Sequence, residues 1–220
     1  LNGYLIWIAK KLKVPSILHV RAPVYPEKLA KHHSNKATFI IAISHRIRKN
    51  LIDAGVNPEK IVLIEDAVDL ELFNAKGSQR YHQPSFQNNV LRRDFSPTGK
   101  VPVGIVGRIH PSKRQLEFLQ AADKIVHQFS RSASFFVIGE ISCRKYFKKL
   151  KQFVSEKRLD RYVFFTGRRD DMPQVLASLD ILVTLSGGSV MFEAMACGKP
   201  IISVEPDVKK EPLHLSLIHI

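Results

Sequence analysis

Residues 101–138 read VPVGIVGRIHPSKRQLEFLQAADKIVHQFSRSASFFVI. The first six residues are uncharged and strand-sized, and so is the run at 134–138. Between them, Leu116, Leu119, Ala122 and Val126 recur at helical spacing, which predicts a helix over 112–127 with one apolar stripe. Strand, helix and strand in this order describe a crossover between parallel strands.

The same alternation continues downstream. The pattern predicts a helix over 143–157, a strand over 162–166, a helix over 171–178, a strand over 180–184, a helix over 189–196 and a strand over 200–203. Upstream it predicts a helix over 2–12, a strand at Ile17–Val20, a helix at Pro26–His33 and a buried strand at Thr38–Ile43. Ser44 reads as the N-cap of a helix running to about Ala54 and stopped by Gly55, with a further strand at Ile61–Ile64. Residues 74–99 are rich in Gly, Ser, Gln, Asn, Pro and charge, and read as a linker with a short helix from Ser85 to Arg93. The expected organisation is an α/β chain with two Rossmann-like domains, 1–73 and 100–206, joined by 74–99. Residues 207–220 resemble a translated adapter sequence more than the end of a domain, and are expected to be non-native.

Composition narrows the class. At 45% hydrophobic residues over 220 positions, the chain can bury a sizeable core, and its longest apolar runs are strand-sized rather than membrane-spanning. Two widely separated cysteines, Cys143 and Cys197, suggest neither a disulfide framework nor a metal site, and a cytoplasmic setting fits. The net charge of +14 is compatible with an anionic membrane, anionic substrates, nucleic acid or a solvated surface. No zinc-finger spacing or aromatic–basic strand signature supports nucleic acid.

In doubly wound sheets, ligands lie beyond the carboxyl ends of the strands. Gly107, Arg108 and Lys113 follow the first strand of the second domain, and two cations there could clamp a diphosphate. Gly139 and Gly167 follow the next two strands and leave room for a ligand beside the backbone. After strand 180–184 come Gly187, Gly188 and Ser189, a glycine-rich entry to a helix, and then Glu193, a carboxylate suited to a vicinal diol. Each of these is also readable as an ordinary turn or surface residue; order and spacing make them a set.

The set resembles the C-terminal domain of family 4 glycosyltransferases, which are retaining enzymes of GT-B fold. GRIHPSK resembles their Gly-Arg-Leu…Lys-Gly segment, with Arg114 at the usual final glycine. FEAMACGKPIIS resembles their Glu-Ala-Met-Ala-Cys-Gly-x-Pro-Val stretch, and the segment ending DAVDLELF resembles the close of their N-terminal domain. The resemblance implies a nucleoside-diphosphate-sugar donor, a glycan or lipid acceptor, no metal and no other cofactor. It implies that Arg108 and Lys113 neutralise the diphosphate, Glu193 holds the ribose, and His19 faces the donor sugar. Leu185 stands where the family usually has a first glutamate, eight residues before Glu193, which leaves open a non-catalytic nucleotide-sugar-binding protein. The basic charge and the helix over 2–12 also suggest peripheral contact with a membrane.

Overall fold

The computed structural model describes residues 2–21, 34–73, 89–95, 101–129, 132–186, 188–204 and 215–218. The chain divides into two compact units, Leu1–Ala67 and Val68–Ile220. The helix expected at Pro26–His33, most of the segment 74–99, Gly187 and most of 205–220 lie outside the described residues.

The first unit is a parallel three-stranded sheet, β1 (Ile17–Val20), β2 (Phe39–Ala42) and β3 (Ile61–Leu63), in that order. Helices α1 (Asn2–Lys11) and α2 (His45–Asp53) contribute Ile6, Ile47 and Leu51 to a core that also holds Val20, Ile40, Ala42 and Ile61. The alternate strand positions Ile17, Phe39 and Val62 are exposed, as are Tyr4, Leu5, Trp7 and Ile8 of α1. The Ser44 hydroxyl caps α2 by accepting from the Ile47 amide at 3.2 Å, and Gly55 closes the following turn at φ 81°, as the sequence predicts.

The second unit is a six-stranded sheet. Its strands are β4 (Val101–Val106), β5 (Ala133–Ile138), β6 (Val163–Gly167), β7 (Ile181–Thr184), β8 (Ile201–Val204) and β9 (Leu215–Ile218), arranged β6-β5-β4-β7-β8-β9. All pairings are parallel except β8 with β9, so residues 215–218 add an antiparallel edge strand that alternation does not predict.

The sheet is covered on both faces. On one side Val103, Ile105, Phe135 and Val137 pack under α4 (Gln115–Lys124) and α5 (Arg144–Glu156). On the other, Phe136, Ile138, Leu182 and Ile201 pack under α3 (Val90–Phe95), α6 (Met172–Ser178) and α7 (Val190–Ala196). Every residue of β5 is therefore buried, which explains its unbroken run Ala-Ser-Phe-Phe-Val-Ile.

Two expectations are corrected. The helix expected over 112–127 is three pieces: a 3-10 turn at Pro111–Lys113, α4 itself, and a π turn at Ile125–Phe129. The break falls at Arg114, which is left-handed (φ 59°, ψ 34°) and cannot continue a right-handed helix. The helix expected at 85–93 is seen at Val90–Phe95, where the Asn89 side chain accepts from the Arg92 amide at 2.9 Å and so sets its start. Val90 and Leu91, inside the expected linker, are buried in the second unit's core, and Phe73, just before it, packs against the same cluster.

A charged fork ties α3 to the segment before α6. Arg169 donates to both carboxylate oxygens of Asp171 (2.7 and 2.6 Å) and to Asp94 (2.7 Å). The hydrogen bonds from Arg93 and then Arg169 hold the Asp94 carboxyl below the ordinary aspartate range, and the bond from Arg169 does the same for Asp171. The unfolded chain protonates first as pH falls, so this contribution is present above about pH 4 and is lost as pH drops through the lowered folded values. Arg169→Met is expected to melt at lower temperature than wild type at pH 6, with the gap closing as pH falls below the ordinary aspartate value of about 4. Thermal unfolding from pH 6 downward checks it; a gap independent of pH contradicts the assignment.

Candidate functional site

Strand order places a topological switch point between β4 and β7: successive strands β4, β5 and β6 run one way from it, and β7 and β8 the other. A crevice for a ligand is expected beyond the carboxyl ends of those two strands. The segments following them are Gly107–Arg114 and Leu185–Ser189.

Segment 107–114 is held by the extension of the parallel ladder. The Gly107 amide donates to Ile138 at 2.9 Å, the Ile109 amide to Glu140 at 2.8 Å, and the Cys143 amide to Ile109 at 3.0 Å. Gly139 and Gly107 approach so closely that a Cβ on Gly139 would lie 2.2 Å from the Gly107 carbonyl oxygen, at a φ of +146°. Only glycine fits there. A break in register between β5 and β6 brings Gly167 level with Ile138, and the Gly139 amide then donates to the Gly167 carbonyl at 2.9 Å. Gly167 itself has open space beside it: among the described residues, none beyond its own chain neighbours comes within 4 Å of where a Cβ would stand.

The 3-10 turn aims Lys113 across the switch point. The Lys113 amide donates to His110 at 2.9 Å, while His110 accepts the Ser112 amide on Nδ1 at 3.3 Å. The Lys113 stem lies along Gly107, 3.5–3.7 Å from where a Cβ would be, and its Nζ comes within 4.0 Å of the corresponding point on Gly188. One ammonium thus spans the β4 and β7 exits. Arg108 is exposed, and neither it nor Lys113 has a carboxylate partner among the described residues.

Arg114 explains a departure from the family pattern. The position needs the left-handed conformation that glycine adopts freely, at a cost of about 1 kcal/mol for another residue. Its side chain is engaged: Nε pairs with Glu117 at 3.0 Å and Nη1 reaches the Leu185 carbonyl at 3.5 Å. Leu185 packs, partly buried, against the core under α4 and α5, so it supplies an apolar group and no carboxylate.

Ser189 precedes α7, and Glu193 lies in its first turn, half-buried, with no hydrogen-bond partner for its carboxylate among the described residues. Burial alone raises its pKa. His19 belongs to the first unit, exposed on β1 beside Ile41 of β2. That unit also has a shallow cleft of about 550 Å³ lined by Asn35, Ile52, Gly55, Asn57 and Lys60, in which the Lys60 ammonium is bonded to the carbonyls of Asn35 and Ala37 (2.8 and 2.9 Å).

Sequence patterns did not reveal Gln115 and Tyr146. The buried Tyr146 hydroxyl of α5 accepts from the Leu116 amide at 2.9 Å, so α5 caps the start of α4. A Tyr on the apolar face of α5 reads as core; only the fold shows its hydroxyl capping another helix.

A family model described as Glycosyl transferases group 1 matches residues 100–211, just over half of the chain. The chain belongs to the group 1 glycosyl transferases. Among curated relatives, it is 23% identical over 186 residues to the uncharacterized glycosyltransferase MJ1069 of Methanocaldococcus jannaschii, which covers 81% of this chain and 44% of that protein. It is 30% identical over 158 residues to the UDP-Gal:alpha-D-GlcNAc-diphosphoundecaprenol alpha-1,3-galactosyltransferase of Escherichia coli, covering 67% of this chain and 37% of that one. Among solved structures, Anabaena Alr3699/HepE in complex with UDP and glucose superposes with a TM-score of 0.75 at 23% identity, over 90% of this chain and 55% of that one. This group 1 chain thus spans less than half the length of those two curated relatives, and the likeness supports the expected GT-B-type α/β fold.

The raised Glu193 pKa has a consequence for stability. A carboxyl that ionises later in the folded state than in the unfolded one destabilises the fold as pH rises from the ordinary value of about 4.3 through the raised value. Glu193→Gln is expected to match wild type near pH 4 and to be more stable at pH 7, as measured by urea unfolding at both. Equal stability at pH 7 contradicts the burial of an unpartnered carboxylate.

Proposed function

We propose that this chain carries the donor site of a glycosyltransferase that moves a hexose from a nucleoside-diphosphate sugar to a glycan or lipid acceptor, with retention of configuration. The observation that carries the reading is Lys113, an ammonium without a carboxylate partner among the described residues, spanning the two glycine-bearing exits at the switch point. A diphosphate placed there meets Lys113, the Arg108 guanidinium and the backbone of Gly188 and Ser189, with Gly187 in the same loop. As the glycosidic bond to the sugar breaks, charge grows on the departing diphosphate, and fixed cations stabilise it without a metal or other cofactor. Glu193, ionised, accepts the hydroxyls of the ribose, and the open side of Gly167 together with Gly139 leaves room for the nucleoside.

The comparisons favour this reading without fixing its details. A solved neighbour holds UDP and glucose, and the Escherichia coli relative is named for a UDP-Gal donor and a diphosphoundecaprenol-linked acceptor. Retention and the role of His19 toward the donor sugar come from the family 4 resemblance. A lipid acceptor would suit a cytoplasmic enzyme peripheral to the membrane, with Trp7, Lys10 and Lys11 of the exposed α1 at the surface. One observation favours a second reading: Leu185 turns into the core in place of the family's first glutamate, which fits a protein that binds nucleotide sugars without transferring them.

Calorimetric titration with UDP, GDP and ADP tests the donor site. One of them is expected to bind, and the double variant Arg108→Ala/Lys113→Ala to lose at least about tenfold in affinity, given roughly 1.5–3 kcal/mol per charge-assisted bond. A folded protein that binds none of the three, or a double variant that binds as well as wild type, refutes the reading. Sugar transfer appearing only on Leu185→Glu selects the binding-only alternative for the native chain.

A further inference from the structure

We propose that Gln115 is a positioning residue that acts through Arg108, an inference that rests on the donor-site reading above. Arg108 lies between two residues whose amides are fixed to the β5 side of the sheet, Gly107 to Ile138 and Ile109 to Glu140. Its own carbonyl is the remaining handle on that stretch, and Gln115 takes it: Nε2 donates to the Arg108 carbonyl at 2.9 Å. The peptide plane that launches the guanidinium is thereby held on both sides, although the side chain itself is exposed.

Gln115 is fully buried at the start of α4, and its Oε1 has no hydrogen-bond partner among the described residues. Only the amide nitrogen can serve a carbonyl, so the orientation is dictated and the oxygen is the end left over. An orphaned buried acceptor is unfavourable, and an apolar side chain of the same size would remove it. For packing alone, then, leucine or methionine serves this position as well as glutamine. What they lack is the donor to Arg108. The neighbouring amide, Leu116, is already satisfied by Tyr146, so the start of α4 keeps its anchor to α5 when the glutamine is replaced.

The test is a double-mutant cycle. Gln115→Leu, Gln115→Met, Arg108→Ala and the Gln115→Leu/Arg108→Ala pair are each titrated with UDP, GDP and ADP by calorimetry and with uridine, guanosine and adenosine by NMR, and each is melted. Gln115→Leu and Gln115→Met are expected to weaken the bound nucleoside diphosphate by about five- to tenfold, to leave its nucleoside unchanged and to keep the wild-type Tm. In the Arg108→Ala background, Gln115→Leu is expected to cost nothing further. Losses that add in full, losses shared by the nucleoside, an affinity drop that follows a lowered Tm, or no loss in the single variants overturn this assignment alone. An Arg108→Ala variant that binds as wild type does also overturns the assignment, with Lys113 still carrying the donor site; a wild type that binds none of the three diphosphates overturns the donor-site reading and the assignment with it.

Discussion

The close approach of Gly139 to the Gly107 carbonyl is the constraint on which the site depends. With no side chain between them, the ends of β4 and β5 stay in hydrogen-bonding register beyond the strands, through Gly107, Ile109 and Cys143. A segment that would otherwise be a mobile turn becomes an extension of the sheet. Its cations then start from fixed backbone, and less ordering remains to be done when an anion arrives.

That rigidity is inherited from the core beneath it. Phe135 and Val137 face one helical layer and Phe136 and Ile138 the other, all nearly or wholly buried, so neither face of β5 can yield. Full burial of each such side chain contributes about 1.5–3 kcal/mol. The unfavourable features sit at the rim: the left-handed Arg114, the orphaned oxygen of Gln115 and the half-buried carboxylate of Glu193, which has no hydrogen-bond partner among the described residues. They cluster around the switch point, where a well-ordered fold can hold them.

Much of this was legible in the sequence because the parallel strands of the second unit are short, uncharged and mostly apolar runs, and parallel sheets buried on both faces require such runs. The candidate site was legible because doubly wound topology puts function at strand ends, and Gly107, Arg108, Lys113, Gly188 and Glu193 all follow strand ends. Helix boundaries near the site were not legible. The break at Arg114 depends on one left-handed residue, and arginine carries no local signal for that conformation. Tyr146 and Gln115 were missed because both lie on buried faces, where periodicity reports only that a side chain points inward. The edge strand β9 pairs antiparallel, and a rule built on crossovers has no way to place it.

The central claim is that the diphosphate of a nucleotide sugar lies between the exits of β4 and β7. Titrating UDP, GDP and ADP into uniformly ¹⁵N-labelled protein and following amide shifts tests it most directly. With the nucleotide that binds, the account predicts the largest changes at Gly107, Arg108, Lys113, Gly188 and Ser189. Saturable changes confined to other residues, such as the Asn35–Lys60 cleft of the first unit, with those five amides unmoved, would contradict it.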